Sequence, residues 1–314
     1  MSARGAMRFA ISKIRLGNER VTRLLGTAMP LSLARGPVWC ARLRDVPFLS
    51  AMAAGRDFST ISPSAKSLLL LKSQTRLPFA REAAELLWGA PGVEAARKKA
   101  DATPGADHRR RHFELRARSV DLALDDLGLR RVIEIAAGLS FRGLAMTARE
   151  DVFYVDTDLP VIAEIKAELV TKLHSAPLRG TLRVRPLDAL DSEAFKTVVA
   201  ETPPGPLAIV HEGLLMYLDD TEKAHLAASV HRALLDRGGA WVTADVYVRS
   251  DSHLFREEST KKFLEKHHVE QKKFPDFRAA EAFFVASGFT IARRLSSSAD
   301  PWRVRETWVL SPRG

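Results

Sequence analysis

The 314-residue sequence predicts an α/β fold built on a seven-stranded, mostly parallel sheet. After Gly128, five short apolar runs rich in β-forming residues alternate with helical segments, which is typical of βαβ units. Two later runs follow Gly288 and are joined by a Ser/Asp/Pro loop, which predicts a closing antiparallel hairpin. Upstream of Gly128 the apolar positions recur at helical spacing and predict a helical lead-in.

The helical lead-in is assigned to residues 56–127. Over residues 62–88 the helical pattern is interrupted by Pro78, so we expect two helices there, the second beginning near this proline. Residues 90–107 include two prolines and two glycines and are predicted to form a connection across the surface. A further helix is expected over residues 112–127.

The α/β domain is assigned to residues 128–314. Its five parallel strands are expected at residues 132–135, 152–155, 182–185, 207–210 and 240–244. Helices are expected at residues 159–173 and 221–235, and the hairpin strands at residues 290–295 and 306–310. The charged and aromatic segment 247–277, after the fifth strand, is compatible with a mobile lid or with a solvated basic helix.

The net charge of +10 is concentrated at the start of the chain. Residues 1–50 contain nine Lys or Arg and two acids, a net +7 that leaves +3 for the other 264 residues. The remaining chain therefore gives no strong electrostatic reason to expect a nucleic-acid partner. The basic extension, residues 1–55, has the composition of a transit peptide and equally resembles the product of a start placed too far upstream; a helical extension is a third alternative.

Composition also limits location and chemistry. The sequence has no stretch of about 18 apolar residues, so neither a transmembrane helix nor a membrane partner is expected. The single cysteine, Cys40, excludes an internal disulfide framework and a thiolate-based zinc or iron–sulfur site. We expect a cytoplasmic protein, or a mitochondrial one if residues 1–55 are a transit peptide. Adjacent His267 and His268 point in different directions on a helix and are not interpreted as metal ligands.

The ends of the first two strands carry residues suited to a nucleoside. Ligands of open α/β sheets bind beyond the carboxyl ends of the strands, where the strand order reverses. The first strand runs into a small-residue turn, in which Gly138 lets the backbone approach a ligand; a plain strand-to-helix turn is the alternative. The second strand ends in Asp156 and Asp158. Asp156 lies 22 residues after Glu134, near the spacing of a ribose-binding acid, and one of the two acids is alternatively a helix cap.

Acids also follow the third and fourth strands. Asp188 is placed to accept from an adenine amino group while flanking apolar residues sandwich the ring, although a helix cap has the same pattern. Glu212 directly follows the fourth strand, and an acid there requires a cationic or hydrogen-bonding partner. The amino group of a methionine-derived ligand would supply one.

Three of these segments resemble a known family. They are Glu134–Arg142 (EIAAGLSFR), Asp156–Pro160 (DTDLP) and Glu212–Leu218 (EGLLMYL). In this order they resemble the leucine carboxyl methyltransferase and polyketide O-methyltransferase group of class I methyltransferases, from about Ser62 to the C-terminus. The resemblance implies a Rossmann-like α/β fold and S-adenosyl-L-methionine as cofactor. It also implies O-methyl transfer to a carboxylate or hydroxyl of a small molecule or of a protein C-terminus.

The resemblance further implies which residues bind the cofactor. Gly138 would lie against it, Asp156 or Asp158 would hold the ribose, and Glu212 would border the methionine end. Arg118 is the first choice for the cofactor carboxylate because a guanidinium fork suits a carboxylate, with a solvated helix face as the alternative. The predicted cofactor-binding residues are Arg118, Glu134, Gly138, Asp156, Asp158, Leu187, Asp188, Ala189 and Glu212.

The chain also departs from the family pattern. Where the family often has Gly-x-Gly-Leu-Asp, this sequence has Ala136 and Ser140, which narrows the turn and removes an acid. A carboxylate acceptor needs no general base, because methyl transfer depends mainly on placement. For a phenol or enol acceptor, His211 and Tyr217 are the predicted catalytic residues; the alternative is that both pack or hydrogen-bond beneath the site.

Two other function classes stay open. An NAD(P)-dependent oxidoreductase would share the turn and the ribose acid, but the turn lacks the G-x-G-x-x-G pattern that suits a pyrophosphate. A noncatalytic S-adenosyl-L-methionine-binding module is the second alternative, which the altered glycine turn would permit. The sequence does not indicate an oligomeric state.

Overall fold

The computed structural model describes residues 62–174, 177–249, 265, 267–300 and 302–314. The basic extension, its Cys40 and residues 250–264 of the segment after the fifth strand lie outside the described residues. Seven strands form one sheet: β1 (Arg131–Ile135), β2 (Phe153–Asp158), β3 (Thr181–Pro186), β4 (Leu207–His211), β5 (Gly239–Tyr247), β6 (Phe289–Leu295) and β7 (Arg305–Pro312).

The helices lie before, between and after these strands. They are α1 (Ser62–Lys72), α2 (Ala80–Asp101), α3 (Ala106–Leu127), α4 (Arg142–Met146), α5 (Pro160–Leu173), α6 (Ser192–Ala200), α7 (Asp220–Arg237), α8 (Val269–Lys272) and α9 (Phe277–Ala286). A short 3-10 helix, Leu215–Tyr217, follows β4. Within the described part of the chain, no helix is long and apolar enough to cross a bilayer.

The strand order β3-β2-β1-β4-β5-β7-β6 confirms the predicted mixed sheet. Strands β1 to β5 pair in parallel, whereas β7 is antiparallel to both β5 and β6. The strand order reverses beside β1, where Glu134 is in register with Asp156 of β2 and Ile135 with His211 of β4. The segments that follow β1, β2 and β4 therefore meet at one edge of the sheet, where ligands of such folds bind.

Helices cover both faces of this sheet. On one face, α3 packs the buried residues Val120 and Leu124 against strand residues that include Val210. On the other face, α6, α7 and α9 enclose a core that includes Ile209 and Trp241. Burial of each large apolar side chain stabilises the fold by roughly 1.5–3 kcal/mol. The strands that position the site are therefore packed on both faces.

The lead-in differs from the sequence prediction at residues 90–107. This stretch was expected to be a surface connection, but α2 continues through it to Asp101. The helix accommodates its proline because Gly89 leaves helical geometry (φ 70°, ψ 156°) and places Pro91 in the first turn of a new helical segment. A proline there lacks only an N–H that has no helical partner. Helix α3 accordingly begins at Ala106, six residues before the predicted start.

The lead-in packs onto the start of the α/β domain. Leu69 of α1 and Ala84 of α2 are buried in one cluster with Leu139, which follows β1, and Ile162 of α5. The last residue of α1, Lys72, reaches Glu212, which directly follows β4.

Candidate functional site

In the turn after β1, two residues adopt the left-handed backbone conformation that favours glycine, although only one of them is a glycine. Ala136 and Gly138 both adopt positive φ, 49° and 54°. For Ala136 this left-handed conformation costs about 1–2 kcal/mol. The Gly138 N–H donates to Asp158 Oδ2 at 2.6 Å, and the position where a Cβ of Gly138 would point is open. The turn therefore offers an open backbone surface beside the end of β2.

The two acids of β2 occupy different environments. Asp156 is fully buried, and its Oδ1 lies 2.9 Å from Nζ of Lys166, which is also buried. Asp158 is half-buried at the strand end and accepts from the backbone N–H groups of Gly138 and Leu159. Burial raises the pKa of Asp158, and these two hydrogen bonds oppose that rise. Asp158 alone of the pair can meet a ligand, so the assignment of Asp156 to a ribose is corrected by its place in the core.

The end of β3 carries a half-buried acid between two buried apolar residues. Asp188 Oδ1 accepts from the Leu190 N–H at 3.0 Å, while Leu187 and Ala189 are buried. The N-cap of α6 is Asp191, not Asp188. The alternative interpretation of Asp188 as a helix cap therefore does not apply. Asp188 follows the strand next to the one that ends in Asp158.

Glu212, at the end of β4, is surrounded by three cations of the protein. Its Oε1 accepts from Lys72 Nζ at 2.7 Å and from Arg116 Nε at 3.1 Å, and its Oε2 accepts from Arg142 Nη2 at 3.0 Å. All four side chains are less than one-tenth exposed. Burial by itself raises the pKa of Glu212, but the three cations outweigh burial and hold this pKa well below its ordinary value. We call these four residues the Glu212 cluster.

Arg142 of the Glu212 cluster is neutralised by further acids. It also donates to Glu134 and to Asp121, the latter through Nε at 2.6 Å. Glu134 in turn accepts from the Tyr154 hydroxyl at 2.6 Å. The carboxylate of Glu134 is therefore committed inside the protein, and its predicted role as a cofactor ligand is corrected to that of a buried partner of Arg142.

Lys72 and Arg116 keep donors that the described residues do not use. Lys72 Nζ makes one hydrogen bond, to Glu212, and Arg116 Nη2 makes none within the described residues. The Nη edge of Arg116 lies against Gly213, where a Cβ would come within 3.3 Å of both nitrogens. Burial lowers the pKa of Lys72, and the positive charges of Arg116 and Arg142 lower it further against the attraction of Glu212. The cluster therefore suits one more carboxylate.

A cleft of about 250 Å³ borders the Glu212 cluster. It lies between α3, α4 and the start of α2, and its lining includes Lys72, Arg142 and Ser140 as well as the apolar residues Leu77 and Phe141. Lys72 and Arg142 of the Glu212 cluster line this cleft, so a ligand in the cleft could contact the cluster.

Comparison with known families decides the membership of the chain. The model of the leucine carboxyl methyltransferase family matches residues 52–231, more than half of the chain. The chain belongs to the leucine carboxyl methyltransferase family. The matched range contains all four residues of the Glu212 cluster, the turn after β1 and the ends of β2 and β3.

Two matches to individual known proteins have low sequence identity. A protein of Mycobacterium sp. (strain KMS) that bears the name S-adenosyl-L-methionine-dependent methyltransferase is 28% identical over 137 residues, 43% of this chain and 45% of the relative. The alignment therefore spans less than half of that relative. The crystal structure of a DUF574 family protein from Streptomyces avermitilis MA-4680 superposes with a TM-score of 0.51 at 13% identity, covering 80% of this chain and 97% of that one. This similarity concerns the fold.

The structure places Arg116, and not the predicted Arg118, beside Glu212. Arg118 is exposed on α3 and pairs with Glu114, away from the strand ends. Arg116, two residues earlier, is buried and contacts Glu212. Two residues on a helix lie about 200° apart, so only one of the two can face the sheet. Of the predicted cofactor-binding residues, Gly138, Asp158, Leu187, Asp188, Ala189 and Glu212 lie at the strand ends, and Arg118, Glu134 and Asp156 do not face that space.

The two predicted catalytic residues differ in their access to the site. His211 is fully buried against Trp241, and burial lowers its pKa to about 3. Its prediction as a base is wrong, because a strand side chain enclosed in the core cannot reach an acceptor. Tyr217, in the 3-10 helix, is half-buried, and burial raises its pKa to about 12. Tyr217 remains a candidate that contacts an acceptor as a protonated phenol.

Four charged side chains of the candidate site were not predicted from the sequence. Lys72, Arg116 and Arg142 form the cluster around Glu212, and Asp245 of β5 lies beside it. Asp245 accepts from the Leu215 N–H, and burial raises its pKa to about 6 against the attraction of Arg116. For Arg116 the sequence held a signal, because it shares the helical stripe of Val120 and Leu124. Lys72 is 140 residues from Glu212 and has no comparable signal.

Proposed function

We propose that this chain is an S-adenosyl-L-methionine-dependent methyltransferase that transfers a methyl group to an oxygen of its acceptor, with a carboxylate as the favoured acceptor group. The observation that carries the proposal is the Glu212 cluster. It places two buried cations with unused donors at the strand edge that also carries the Gly138 turn and Asp158. Membership of the leucine carboxyl methyltransferase family supports the same reaction.

The Glu212 cluster fits the carboxylate end of the cofactor. Lys72 and Arg116 share one oxygen of Glu212, while Arg142 is also paired with Glu134 and Asp121. A ligand carboxylate would take up the remaining donors of Lys72 and Arg116 in charge-assisted hydrogen bonds. Glu212 was expected to meet the amino group of the ligand, but the protein's own cations already meet it. We assign to Glu212 the role of holding Lys72 and Arg116 in place.

The ends of β2 and β3 fit the nucleoside end of the cofactor. Asp158 is fixed by two backbone N–H groups, and each of its oxygens retains a lone pair for a ribose hydroxyl. Asp188 and the buried residues Leu187 and Ala189 would border the adenine. These positions and the Glu212 cluster lie at opposite ends of one row of strand ends, on either side of the Gly138 turn.

The groups around the site favour an acceptor that is already an anion. Bound S-adenosyl-L-methionine supplies an electrophilic methyl group, so the protein must orient the acceptor and exclude water. His211 is enclosed in the core, and Tyr217, with a pKa of about 12, holds its proton at neutral pH. A carboxylate needs no base, whereas a phenol would have to be deprotonated. The acceptor is proposed to be a small-molecule acid or a protein C-terminus.

Calorimetry with the full-length protein tests the cofactor. Titration with S-adenosyl-L-homocysteine is expected to give one site per chain, and titration with NAD⁺ is expected to give no heat of binding. Binding of NAD⁺ without binding of S-adenosyl-L-homocysteine would support an oxidoreductase and refute the proposal.

Methyl transfer itself needs a second experiment. The protein is incubated with S-adenosyl-L-methionine carrying a deuterated methyl group and a metabolite extract, and labelled products are identified by mass spectrometry. We expect labelled methyl esters, which mild base hydrolyses, in preference to base-stable aryl ethers. Base-stable ethers alone would refute the preference for carboxylates. Binding of S-adenosyl-L-homocysteine with no labelled product from extract or from carboxyl-terminal peptides would favour a noncatalytic module.

A further inference from the structure

We propose that Asp300, His112 and Tyr247 form a hydrogen-bond relay that positions Arg116 for the carboxylate of the cofactor. His112 Nδ1 lies 3.0 Å from both carboxylate oxygens of Asp300, and its Nε2 lies 2.7 Å from the Tyr247 hydroxyl. The same hydroxyl accepts from Arg116 Nη1 at 3.3 Å. The relay rests on the proposed function, since it gives these residues a role in that site.

The relay joins three distant parts of the chain. His112 and Arg116 are one turn apart on α3, Tyr247 ends β5, and Asp300 lies in the loop between β6 and β7. His112, Asp300 and Tyr247 are all less than one-tenth exposed. Arg305 Nη2 lies 3.5 Å from Asp300, and the Trp302 N–H donates to it at 3.1 Å. The C-terminal hairpin, far from the cofactor-binding strand ends in sequence, is thereby connected to the Glu212 cluster.

The direction of each hydrogen bond in the relay follows from the chemistry of its members. The Asp300 carboxylate only accepts, so His112 Nδ1 carries the proton that faces it. Burial lowers the pKa of His112 to about 4, so the ring is neutral at neutral pH and its Nε2 is an acceptor. The Tyr247 hydroxyl must then donate to Nε2, which turns its lone pairs towards Arg116. Since a guanidinium only donates, the relay presents the partner that Arg116 requires.

This arrangement fixes the guanidinium of Arg116 on two sides. Nε donates to Glu212, Nη1 donates to Tyr247, and the ring of Phe113 lies 4.7 Å from the Cζ atom. Nη2 is left for a ligand. Without the phenol oxygen the guanidinium could rotate about its remaining contact, and a ligand carboxylate would have to order it on binding.

The relay is tested by the variant Tyr247→Phe in the full-length protein. Its affinity is measured by calorimetry for two probes, S-adenosyl-L-homocysteine and 5′-methylthioadenosine, which has the same adenosine but no amino-acid carboxylate. We expect Tyr247→Phe to weaken binding of S-adenosyl-L-homocysteine about fivefold to tenfold, the upper part of the range for one ordinary hydrogen bond, because Glu212 still holds the guanidinium. Binding of 5′-methylthioadenosine is expected to change less than about twofold. A general loss of structure would weaken both probes, so the selective loss identifies positioning.

Two further variants keep the test decisive. His112→Leu removes the acceptor that orients the phenol and is expected to give the same selective loss, at a smaller size. Thr202→Val is the matched control, because the Thr202 hydroxyl is also buried and also accepts from an arginine, Arg237 Nη1 at 3.0 Å, but contacts neither the relay nor the Glu212 cluster. The calorimetric stoichiometry reports the folded fraction of each variant.

The outcomes separate the relay from the function on which it rests. Equal weakening of both probes by Tyr247→Phe, unchanged affinity for S-adenosyl-L-homocysteine, or the same selective loss in Thr202→Val would each overturn the relay. A wild-type protein that binds neither probe would refute the proposed function, and the relay with it.

Discussion

Replacing Glu212 by glutamine tests whether the Glu212 cluster holds the end of β4 together. The substitution keeps the size of the side chain and removes a charge that Lys72, Arg116 and Arg142 approach within 3.1 Å. At an effective dielectric constant of about 20, each such contact is worth roughly 5 kcal/mol. Much of this sum is offset by repulsion among the cations and by the cost of burying the carboxylate. Removing one member of a buried ion pair therefore destabilises a protein by about 3–5 kcal/mol, and we expect this loss for Glu212→Gln.

The free energy of unfolding of this variant is measured by urea denaturation at neutral pH. Glu201→Gln is the control, because Glu201 also accepts from two arginines, Arg183 and Arg185, but its side chain is 29% exposed. We expect that control to lose less than about 1 kcal/mol. The double variant Glu212→Gln with Lys72→Met removes one excess cation and should lose less than the sum of the two single variants. If Glu212→Gln loses no more stability than Glu201→Gln, the cluster does not organise the site.

Three further predictions concern neighbouring residues. Arg116→Ala is expected to weaken binding of S-adenosyl-L-homocysteine in calorimetry by about tenfold or more, since a charged hydrogen bond is worth about 1.5–3 kcal/mol. The control Arg118→Ala should leave this affinity unchanged. A larger loss of affinity in Arg118→Ala than in Arg116→Ala would support the sequence-based choice of Arg118. Asp245→Asn should stabilise the protein by up to about 3 kcal/mol near pH 8, because the folded state raises the pKa of Asp245 from 3.8 to about 6 and ionisation there costs stability. This gain should vanish near pH 4 in urea titrations, and a gain independent of pH would contradict it. Ala136→Gly should raise the free energy of unfolding by about 1 kcal/mol, because glycine removes the strain of a positive φ; a loss of stability would show that the Ala136 methyl group is needed.

Patterns that depend on neighbouring residues predicted most of the fold. Alternating apolar runs and helices located the five parallel strands and the hairpin because these signals are local and repeat along the chain. The connection at residues 90–107 was predicted wrongly, since Pro91 in a first helical turn has the same composition as a loop. Composition alone cannot distinguish the two.

The candidate site was predicted less completely because its charges pair over long distances. The strand-end positions of Gly138, Asp158 and Asp188 follow from topology, and the sequence placed them correctly at one edge. The choice of Arg118 over Arg116 ignored a helical signal, since Arg116 lies four residues before buried Val120, whereas Arg118 lies four before exposed Leu122. No pattern within the sequence indicates that Lys72 meets Glu212.

If the Glu212 cluster is the proposed binding site, its own acids explain how it is built into a stable fold without its ligand. Three buried cations beside one another would repel strongly, so Glu212, together with Glu134 and Asp121 at Arg142, keeps the edge intact. Lys72 is held there at a cost, because its pKa is lowered by burial and by its two cationic neighbours against the attraction of Glu212. In the proposed function, a ligand carboxylate would accept from the donors of Lys72 and Arg116 that the described residues leave unused in the folded state. An unfolded chain has no such cluster to offer. Ligand binding should therefore stabilise the fold by mass action, by about 2.7 kcal/mol at a ligand concentration a hundred times the dissociation constant.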